Sequence, residues 1–383
     1  MRLIDNPVHL KELTWPARSA ARTTTKTLLI VGPQPPLIGG SPLTVQAIVD
    51  ELTNRTSIRV ALISTSPSRD LRKKMTGFNL EKVRRMIFII PEYIRKIRDC
   101  DAVLVFANNL FALTIVPVLL LVARNFHKPF YIKPVGGDLD LYLEARWKPL
   151  RAYLLGILRA ADGILAQTRL LQTYLVRLGC THTHYLPGCR SMPEIAQLPN
   201  KNREELGLIF LGHITREKGS LVLLEALQLL AQKCRTRVSC DFYGPIHDEI
   251  RGEFLRQLEV TPNARYCGVA EAGTGSSLIA KYDALVLPTF FACEGHPGVI
   301  IEAMHAGVPV ITTRHRAIPE LVTHGENGAL VPAQDNQALA DAIKQMALDR
   351  PWRERMGQAH HRRGQEFRTE VVVAQMLKII FPE

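Results

Sequence analysis

Short apolar runs alternate along the chain with longer segments of helical periodicity. In the first half, the runs Thr27–Val31, Ile58–Ile63 and Ala102–Phe106 indicate buried strands. Between and after them, segments such as 43–53, 148–159 and 169–178 have apolar residues at every third or fourth position. Short buried strands separated by helices are typical of a parallel sheet that is covered on both faces. The pattern therefore predicts an α/β fold.

A change of composition at residues 184–202 divides the chain into two such regions. This stretch is rich in proline, and the alternation restarts after it at Leu208–Leu211. We therefore predict two doubly wound, Rossmann-like domains that face each other across a cleft, a usual place for a ligand. The predicted parts are an arm at 1–25, a first domain at 26–187 and a second domain at 188–364, with a C-terminal helix at 365–383 as a candidate to complete the first domain.

Composition agrees with a globular protein that has two cores. The chain has 383 residues, of which 46% are apolar and 22% charged. None of the seven cysteines forms a Cys-x-x-Cys pair, so neither a disulfide framework nor a zinc ribbon is indicated, and the cytoplasm is the expected location. Cys293 could be a nucleophile, but no basic partner is evident next to it, and we expect it to be buried or incidental. The longest apolar block, Leu110–Ala123, is too short to span a bilayer and predicts a buried helix.

Positive charge is concentrated in one part of the first domain. The net charge is +12, and ten basic residues stand against three acidic residues between Arg69 and Arg98. Apolar residues at helical spacing lie among them, so the segment could rest on an anionic membrane surface, at about 1 kcal/mol per basic residue. The alternative is a solvated helix whose apolar stripe packs inward, and the sequence leaves both open. No nucleic-acid partner is expected, because no aromatic stacking residues accompany the charge.

The strongest chemical pattern lies at residues 287–313. An apolar strand, a loop with glycine and proline, a helical block and a second strand follow one another, and Glu294 and Glu302 bracket the helix start. Amide groups and the positive end of the helix dipole meet there, which suggests an anionic ligand. Taken alone, Glu302 could equally be an ordinary acid in the first helical turn, and Lys218 a surface lysine.

Four motifs follow one another in the second half of the chain, and their joint occurrence in this order is informative. They are Phe210–Gly219, Tyr243-Gly244-Pro245, the Glu-x7-Glu pair Glu294 and Glu302, and Ala306–Ile311. Together they resemble the retaining, nucleotide-sugar-dependent glycosyltransferases of family four, which have the GT-B fold. The resemblance covers the second half. In the first half it rests on a Gly-Gly loop, the strand pattern and a Gly-Gly-Asp turn.

The resemblance implies a role for each matching position in donor binding. Glu302 is expected to bind the ribose hydroxyls, and Glu294 to hold the donor sugar and stabilise the positive charge that develops on it. Lys218 is expected to offset charge on the diphosphate. The amides of the loop at His296, Gly298 and Val299 are expected to bind the same phosphate.

The resemblance also implies a second border for the donor site. Gly39 and Gly40 are expected to approach the phosphate from the first domain, and Tyr243 and Gly244 to border the donor. Apart from the donor nucleotide, no cofactor is implied, and no bound metal, because basic side chains and helix ends take that role.

One position departs from the family pattern, and a second has more than one possible role. His213 stands where the family usually has arginine, and a histidine cannot reproduce the guanidinium fork. Arg216, three residues on, is the candidate replacement. Asp138, after the predicted strand 129–134, could activate an acceptor hydroxyl, or it could form a turn or cap a helix.

The function implied is that of a retaining, metal-independent hexosyltransferase. It would move a sugar from a nucleotide diphosphate donor, with UDP or GDP, to a saccharide or lipid-linked saccharide in cell-envelope polysaccharide synthesis. The acceptor would bind the first domain, and the enzyme could work at the inner face of the membrane. The alternatives are a non-catalytic GT-B scaffold protein at the membrane, which His213 favours, and a GT-B sugar-nucleotide epimerase or a phosphorylase.

Overall fold

The structure is a computed structural model that describes residues 25–34, 40–55, 57–66, 80–191, 205–233 and 237–382. For residues 80–87 only the backbone is described. Several sequence predictions fall outside these residues. They concern the arm up to residue 24, Gly39 in the Gly-Gly loop, and the basic residues between 67 and 79.

Six parallel strands form the first sheet. They are β1 (Lys26–Gly32), β2 (Ile58–Ser64), β3 (Ala102–Ala107), β4 (Phe130–Pro134), β5 (Gly163–Ala166) and β6 (Thr183–Tyr185). Their order across the sheet is β2-β1-β3-β4-β5-β6. Every residue of β3, β4 and β5 is buried, which explains why these strands are nearly continuous apolar runs.

The second sheet has the same design. Its strands are β7 (Leu206–Leu211), β8 (Val238–Tyr243), β9 (Ala264–Tyr266), β10 (Ala284–Leu287), β11 (Val310–Thr313) and β12 (Gly328–Val331). Their order is β12-β11-β10-β7-β8-β9, and all neighbouring pairs are parallel. The strand order reverses between β10 and β7, and ligands of doubly wound sheets bind beyond the carboxyl ends of the strands at such a point.

Fourteen α-helices lie in the described residues. Seven belong to the first half: α1 (Gly40–Thr53), α2 (Leu80–Ile97), α3 (Asn109–Thr114), α4 (Val116–Asn125), α5 (Leu139–Glu144), α6 (Lys148–Ala160) and α7 (Arg169–Arg177). Seven follow: α8 (Ser220–Lys233), α9 (Arg251–Glu259), α10 (Gly275–Ile279), α11 (Gly298–His305), α12 (Asn336–Leu348), α13 (Arg350–Gly364) and α14 (Thr369–Ile380).

The last helix returns to the first sheet. On α14, Val372, Val373 and Met376 are fully buried in the same apolar cluster as Ile48 and Leu52 of α1. The chain therefore crosses between the two sheets twice. At the crossings, Arg190 and Arg368 form an isolated parallel bridge, and the Arg190 amide donates to the Phe367 carbonyl at 3.3 Å.

The prediction of two doubly wound parallel α/β units is confirmed. The predicted boundary between residues 187 and 188 falls in the connection from β6 to β7. Two details differ from the sequence predictions. His184 lies in the edge strand β6 rather than in a linker, and β12 is not among the predicted strands. Strands of three or four residues are too short to give a clear apolar period.

The apolar block Leu110–Ala123 forms two helices rather than one buried helix. It breaks at Ile115, just before Pro117, and Leu110 and Leu121 are 58% and 70% exposed. Within the described residues, no helix combines the length and apolar character needed to cross a membrane.

Candidate active site

A cavity of about 600 Å³ lies between the two sheets and is lined by residues of both. We call it the interdomain cavity. It includes most of the residues that the sequence had singled out for donor binding. These are Gly40, Lys218, Gly244, Glu294, His296, Gly298, Val299 and Glu302. The loops after β7 and β10, which carry Lys218 and Glu294, meet where the strand order of the second sheet reverses.

Lys218 and Glu294 form an ion pair in the interdomain cavity. The Lys218 ammonium lies 2.9 and 2.6 Å from the two Glu294 carboxylate oxygens. The Thr289 hydroxyl donates a further hydrogen bond to Glu294 at 2.8 Å, and the Lys218 ammonium lies 5.0 Å from the centre of the Phe291 ring. The Glu294 side chain is only 7% exposed, so its orientation is fixed before any ligand binds.

Glu302 lies in the interdomain cavity on α11 and pairs with an arginine that the sequence analysis missed. The Arg190 guanidinium donates from Nε to Glu302 Oε1 at 3.1 Å. Burial raises the pKa of Glu302 above its ordinary value, and the neighbouring Arg190 acts in the opposite direction. Arg190 stands in the segment that sequence analysis treated as a linker, where no periodicity points to a buried side chain.

The N-terminus of α11 is open to the interdomain cavity. Its capping residue, Pro297, provides no side-chain hydrogen bond to the first turn, and Gly298 and Val299 are partly exposed. Backbone amides at such a helix start can bind an anion. Glu302, one turn further along α11, lies beside this potential anion site.

His296 contributes its backbone to the lining, because its side chain is directed away. The ring is fully buried, with Nε2 at 3.2 Å from Glu320 Oε2, and its Nδ1 has no hydrogen-bond partner in the part of the chain that the structure describes. Burial lowers the pKa of His296, although Glu320 acts in the opposite direction. The buried ring therefore anchors the loop through its contact with Glu320.

Three predicted residues lie outside the cavity lining. The Arg216 guanidinium pairs with Glu253 of α9, and both side chains are well exposed. The Tyr243 hydroxyl lies 3.2 Å from the Tyr282 hydroxyl. The geometry thus gives no support to Arg216 as the replacement for an arginine at position 213, or to Tyr243 as a donor contact.

Asp138 is the third of these residues. It occupies the position before α5, but its side chain makes no capping hydrogen bond and instead accepts from Asn109 Nδ2 at 3.0 Å. The helix-cap alternative is therefore not supported, and the acceptor-base alternative stays a prediction. Burial raises the pKa of the nearby Cys293 thiol, and Asp138 adds to the effect, which agrees with the expectation that Cys293 is not a nucleophile.

His213 lines the interdomain cavity but lacks the charge of an arginine. Its Nδ1 lies 3.0 Å from Nε2 of His247. Burial lowers the pKa of His213, and the proximity of His247 and Lys218 lowers it further. Other basic groups therefore provide the positive charge, namely Lys218, Arg190 and Lys133. Lys133 is buried, donates to the Leu186 carbonyl at 2.7 Å, and has a pKa lowered by burial to about 8.

Two polar contacts hold the sheets together beside the interdomain cavity. Arg316 donates two hydrogen bonds to Asp140, at 2.8 and 2.7 Å, and one to the Gly137 carbonyl at 2.9 Å. The Glu320 carboxylate accepts from the amides of Arg169 and Leu170 at the start of α7, at 2.8 and 2.9 Å. These partners are far apart in sequence, so no local pattern could have revealed them.

The two facing sheets and the cavity between them define a GT-B protein. Among solved structures, Anabaena Alr3699/HepE in complex with UDP superposes with a TM-score of 0.70 at 15% sequence identity, over 92% of this chain and 98% of that chain. At this identity the likeness shows the fold, and the predicted GT-B fold is confirmed.

The similarity to a known family lies in the half of the chain that forms the second sheet. Residues 205–349 match the family model described as Glycosyl transferases group 1. The putative colanic acid biosynthesis glycosyltransferase WcaL of Salmonella typhimurium is 29% identical over 182 residues, which are 46% of this chain and 45% of WcaL. The amylovoran biosynthesis glycosyltransferase AmsK of Erwinia amylovora is 26% identical over 192 residues, 48% of this chain and 47% of AmsK.

Residues 205–349 are therefore similar to glycosyl transferases group 1 domains, and the predicted resemblance to family four is confirmed. The chain spans about half the length of the curated relatives it matches.

Proposed function

We propose that the protein is a retaining glycosyltransferase that moves a hexosyl group from a nucleotide diphosphate sugar to a saccharide or lipid-linked saccharide. The observation that carries the proposal is the geometry of one cavity. The ion pair of Lys218 and Glu294, the carboxylate of Glu302 and the open N-terminus of α11 all line it. Structures of HepE with UDP and with UDP-glucose support a nucleotide sugar as the donor.

The reaction assigns a task to each group. The bond between the anomeric carbon and the phosphate oxygen breaks while the acceptor oxygen bonds to the same face of that carbon. The acceptor proton passes to the departing phosphate oxygen. Lys218 and the α11 amides stabilise the negative charge of the leaving diphosphate. Glu294 holds sugar hydroxyl groups and stabilises positive charge on the ring, and Glu302 binds the ribose.

Cell-envelope polysaccharide synthesis is the proposed setting. WcaL and AmsK are named for the biosynthesis of colanic acid and amylovoran. A lipid-linked acceptor would be met at a membrane surface, and the first domain exposes large apolar side chains such as Phe88 on α2, Leu121 on α4 and Trp147 before α6. We propose that this domain touches the inner face of an anionic membrane.

Product analysis tests the enzymatic proposal. The purified chain is incubated with UDP- and GDP-sugars and membrane extract, and the products are identified by mass spectrometry. A transferase yields one extended saccharide that depends on one donor. A thermal-shift screen with nucleoside diphosphates distinguishes a non-catalytic scaffold. Ligand at one hundred times its Kd stabilises a true binder by about 2.7 kcal/mol, and a scaffold shows no shift with any nucleotide.

Vesicle sedimentation tests the membrane proposal separately. Replacing Lys73, Lys74, Arg84 and Arg85 by Glu should reduce binding to anionic vesicles, because each basic residue contributes about 1 kcal/mol near such a surface. Four charge reversals on the second domain serve as the control. Equal binding by both variants would reject a role for this segment.

A further inference from the structure

Arg190 lies in the connection between the two sheets, and its side chain projects into the interdomain cavity. Its backbone lies at the point where the two crossings between the sheets are paired, next to Phe367 and Arg368. The residue is only 8% exposed, yet its side chain lines the cavity. Burying a guanidinium is costly unless its charge is paired and its N–H groups are hydrogen-bonded. The partners of Arg190 therefore show which part of the group is left for a ligand.

The contacts of Arg190 account for only part of its guanidinium group. Nε donates to Glu302, and Nη1 donates to the Thr44 hydroxyl of α1 at 2.7 Å and to the Cys189 carbonyl at 2.8 Å. The side chain thus joins α1 of the first sheet to α11 of the second. Among the described residues, Nη2 has no hydrogen-bond partner.

Nη2, which has no partner among the described residues, lies between the starts of two helices. A Cβ atom added to Gly298, the first residue of α11, would be 1.9 Å from Nη2, and one added to Gly40, the first residue of α1, would be 3.4 Å from it. Only glycine at position 298 leaves room for this approach. Two helix N-termini and an unpaired guanidinium edge therefore meet at one place in the cavity, which is an arrangement that attracts an anion.

We propose that Arg190 binds the diphosphate of the donor, with Nη2 donating a hydrogen bond to a phosphate oxygen. Arg190 thereby replaces the arginine that the family usually has at the position of His213. The inference rests on the proposed function, since it concerns the same donor. Lys218 cannot do this alone, because both oxygens of Glu294 already compete for its ammonium. The uncharged His213 ring adds no second positive charge.

The test compares a nucleoside with its diphosphate. Calorimetry gives the Kd of UDP and of uridine for the full chain, with GDP and ADP and their nucleosides in parallel. Arg190→Gln should reduce the preference for the diphosphate over the nucleoside by about ten- to hundredfold, or about 1.4 to 2.8 kcal/mol. Arg190→Lys should keep part of the preference, because it retains the charge without the fork.

Repeating the measurement in a Glu302→Gln variant shows whether Arg190 contacts the diphosphate directly or only positions Glu302. Arg190 also holds Glu302, so Arg190→Gln can weaken nucleoside binding through the ribose. In a Glu302→Gln variant there is no carboxylate left to hold. The further change Arg190→Gln should still reduce the preference for the diphosphate in that background. Arg316→Gln is the matched control, since it removes a partly buried arginine between the sheets that does not line the cavity. It should change both affinities by the same factor.

The outcomes distinguish the inference from the function on which it rests. If Arg190→Gln weakens UDP and uridine binding equally, the inference is wrong and the proposed function stands. If the unaltered chain binds none of the nucleoside diphosphates, the proposed function itself fails. Because Kd does not depend on the fraction of folded protein, partial misfolding of a variant does not imitate the expected result.

Discussion

At Gly137 the backbones of the two halves of the molecule are in close contact. The φ of this glycine is +80°, and a Cβ atom there would lie 2.5 Å from the Gly295 nitrogen and 2.6 Å from the Cys293 carbonyl oxygen. Gly137→Ala therefore introduces two effects. The left-handed conformation costs about 1 kcal/mol with a side chain. The new methyl group also forces the facing backbone to retreat by roughly 1 Å to reach ordinary contact distance.

That retreat would act directly on the proposed reaction. Gly295 follows Glu294, so a displaced loop carries the carboxylate away from the first domain, where the acceptor is proposed to bind. Misplacement of reacting groups by about 1 Å can lower a rate about a hundredfold. We expect Gly137→Ala to lower transfer by about this factor. Nucleotide affinity should change much less, because Lys218 and Glu302 both belong to the second domain.

Gly136→Ala is the matched control. Its φ is +114°, so it also carries backbone strain, but the closest atom to its new Cβ is Oδ1 of Asp138, a side chain two residues away. Both variants should lose thermal stability, and Gly137→Ala should lose more because its methyl group also meets backbone atoms. Only Gly137→Ala should show a larger radius of gyration by small-angle scattering, together with the loss of transfer. Identical scattering and identical transfer in the two variants would refute the reasoning.

Three further predictions concern the carboxylates and the buried histidines. Glu294→Gln should lower sugar transfer about a hundred- to a thousandfold while the Kd of the nucleotide changes little, and unchanged transfer would remove Glu294 from the site. Burial alone would raise the pKa of Glu320, but His296 and the α7 amides hold it below its ordinary value. Glu320 thus stabilises the fold at neutral pH, and this contribution is lost as the pH falls through its folded pKa. Glu320→Gln should lower the free energy of unfolding by about 1 to 3 kcal/mol at pH 7 and by less in acid, and an equal loss at both pH values would contradict this. Burial lowers the pKa of His305 to about 4 and that of His360 to about 3. The unfolded chain therefore binds more protons below about pH 6.5, and urea denaturation should show stability falling by up to about 1.4 kcal/mol per histidine for each pH unit down to about pH 4.

The resemblance of four motifs pointed to the residues that stand at the ends of strands. Lys218 follows β7 and Glu294 follows β10, and the topology of a doubly wound sheet brings such loops together. Glu302 could be found because it lies one turn into a helix that begins at a recognisable loop. Apolar periodicity and turn residues therefore predicted most of the fold, and the motif resemblance predicted one wall of the cavity.

Residues whose roles depend on contacts between the sheets could not be found in this way. Arg190 became relevant only when α1 and α11 were seen on either side of it. Asp140 and Arg316 are separated by 176 residues, and each reads alone as an ordinary surface charge. Arg216 looked available because the sequence does not reveal that Glu253 lies opposite it.

The return of α14 to the first sheet has a consequence for synthesis on the ribosome. The apolar surface of α1 is covered by residues that are translated more than three hundred positions later. Part of the apolar surface of the N-terminal half therefore stays exposed to water while the rest of the chain is synthesised and folds. A chaperone that shields exposed apolar surface would find its target there during translation, and premature termination before residue 369 would leave that surface permanently uncovered.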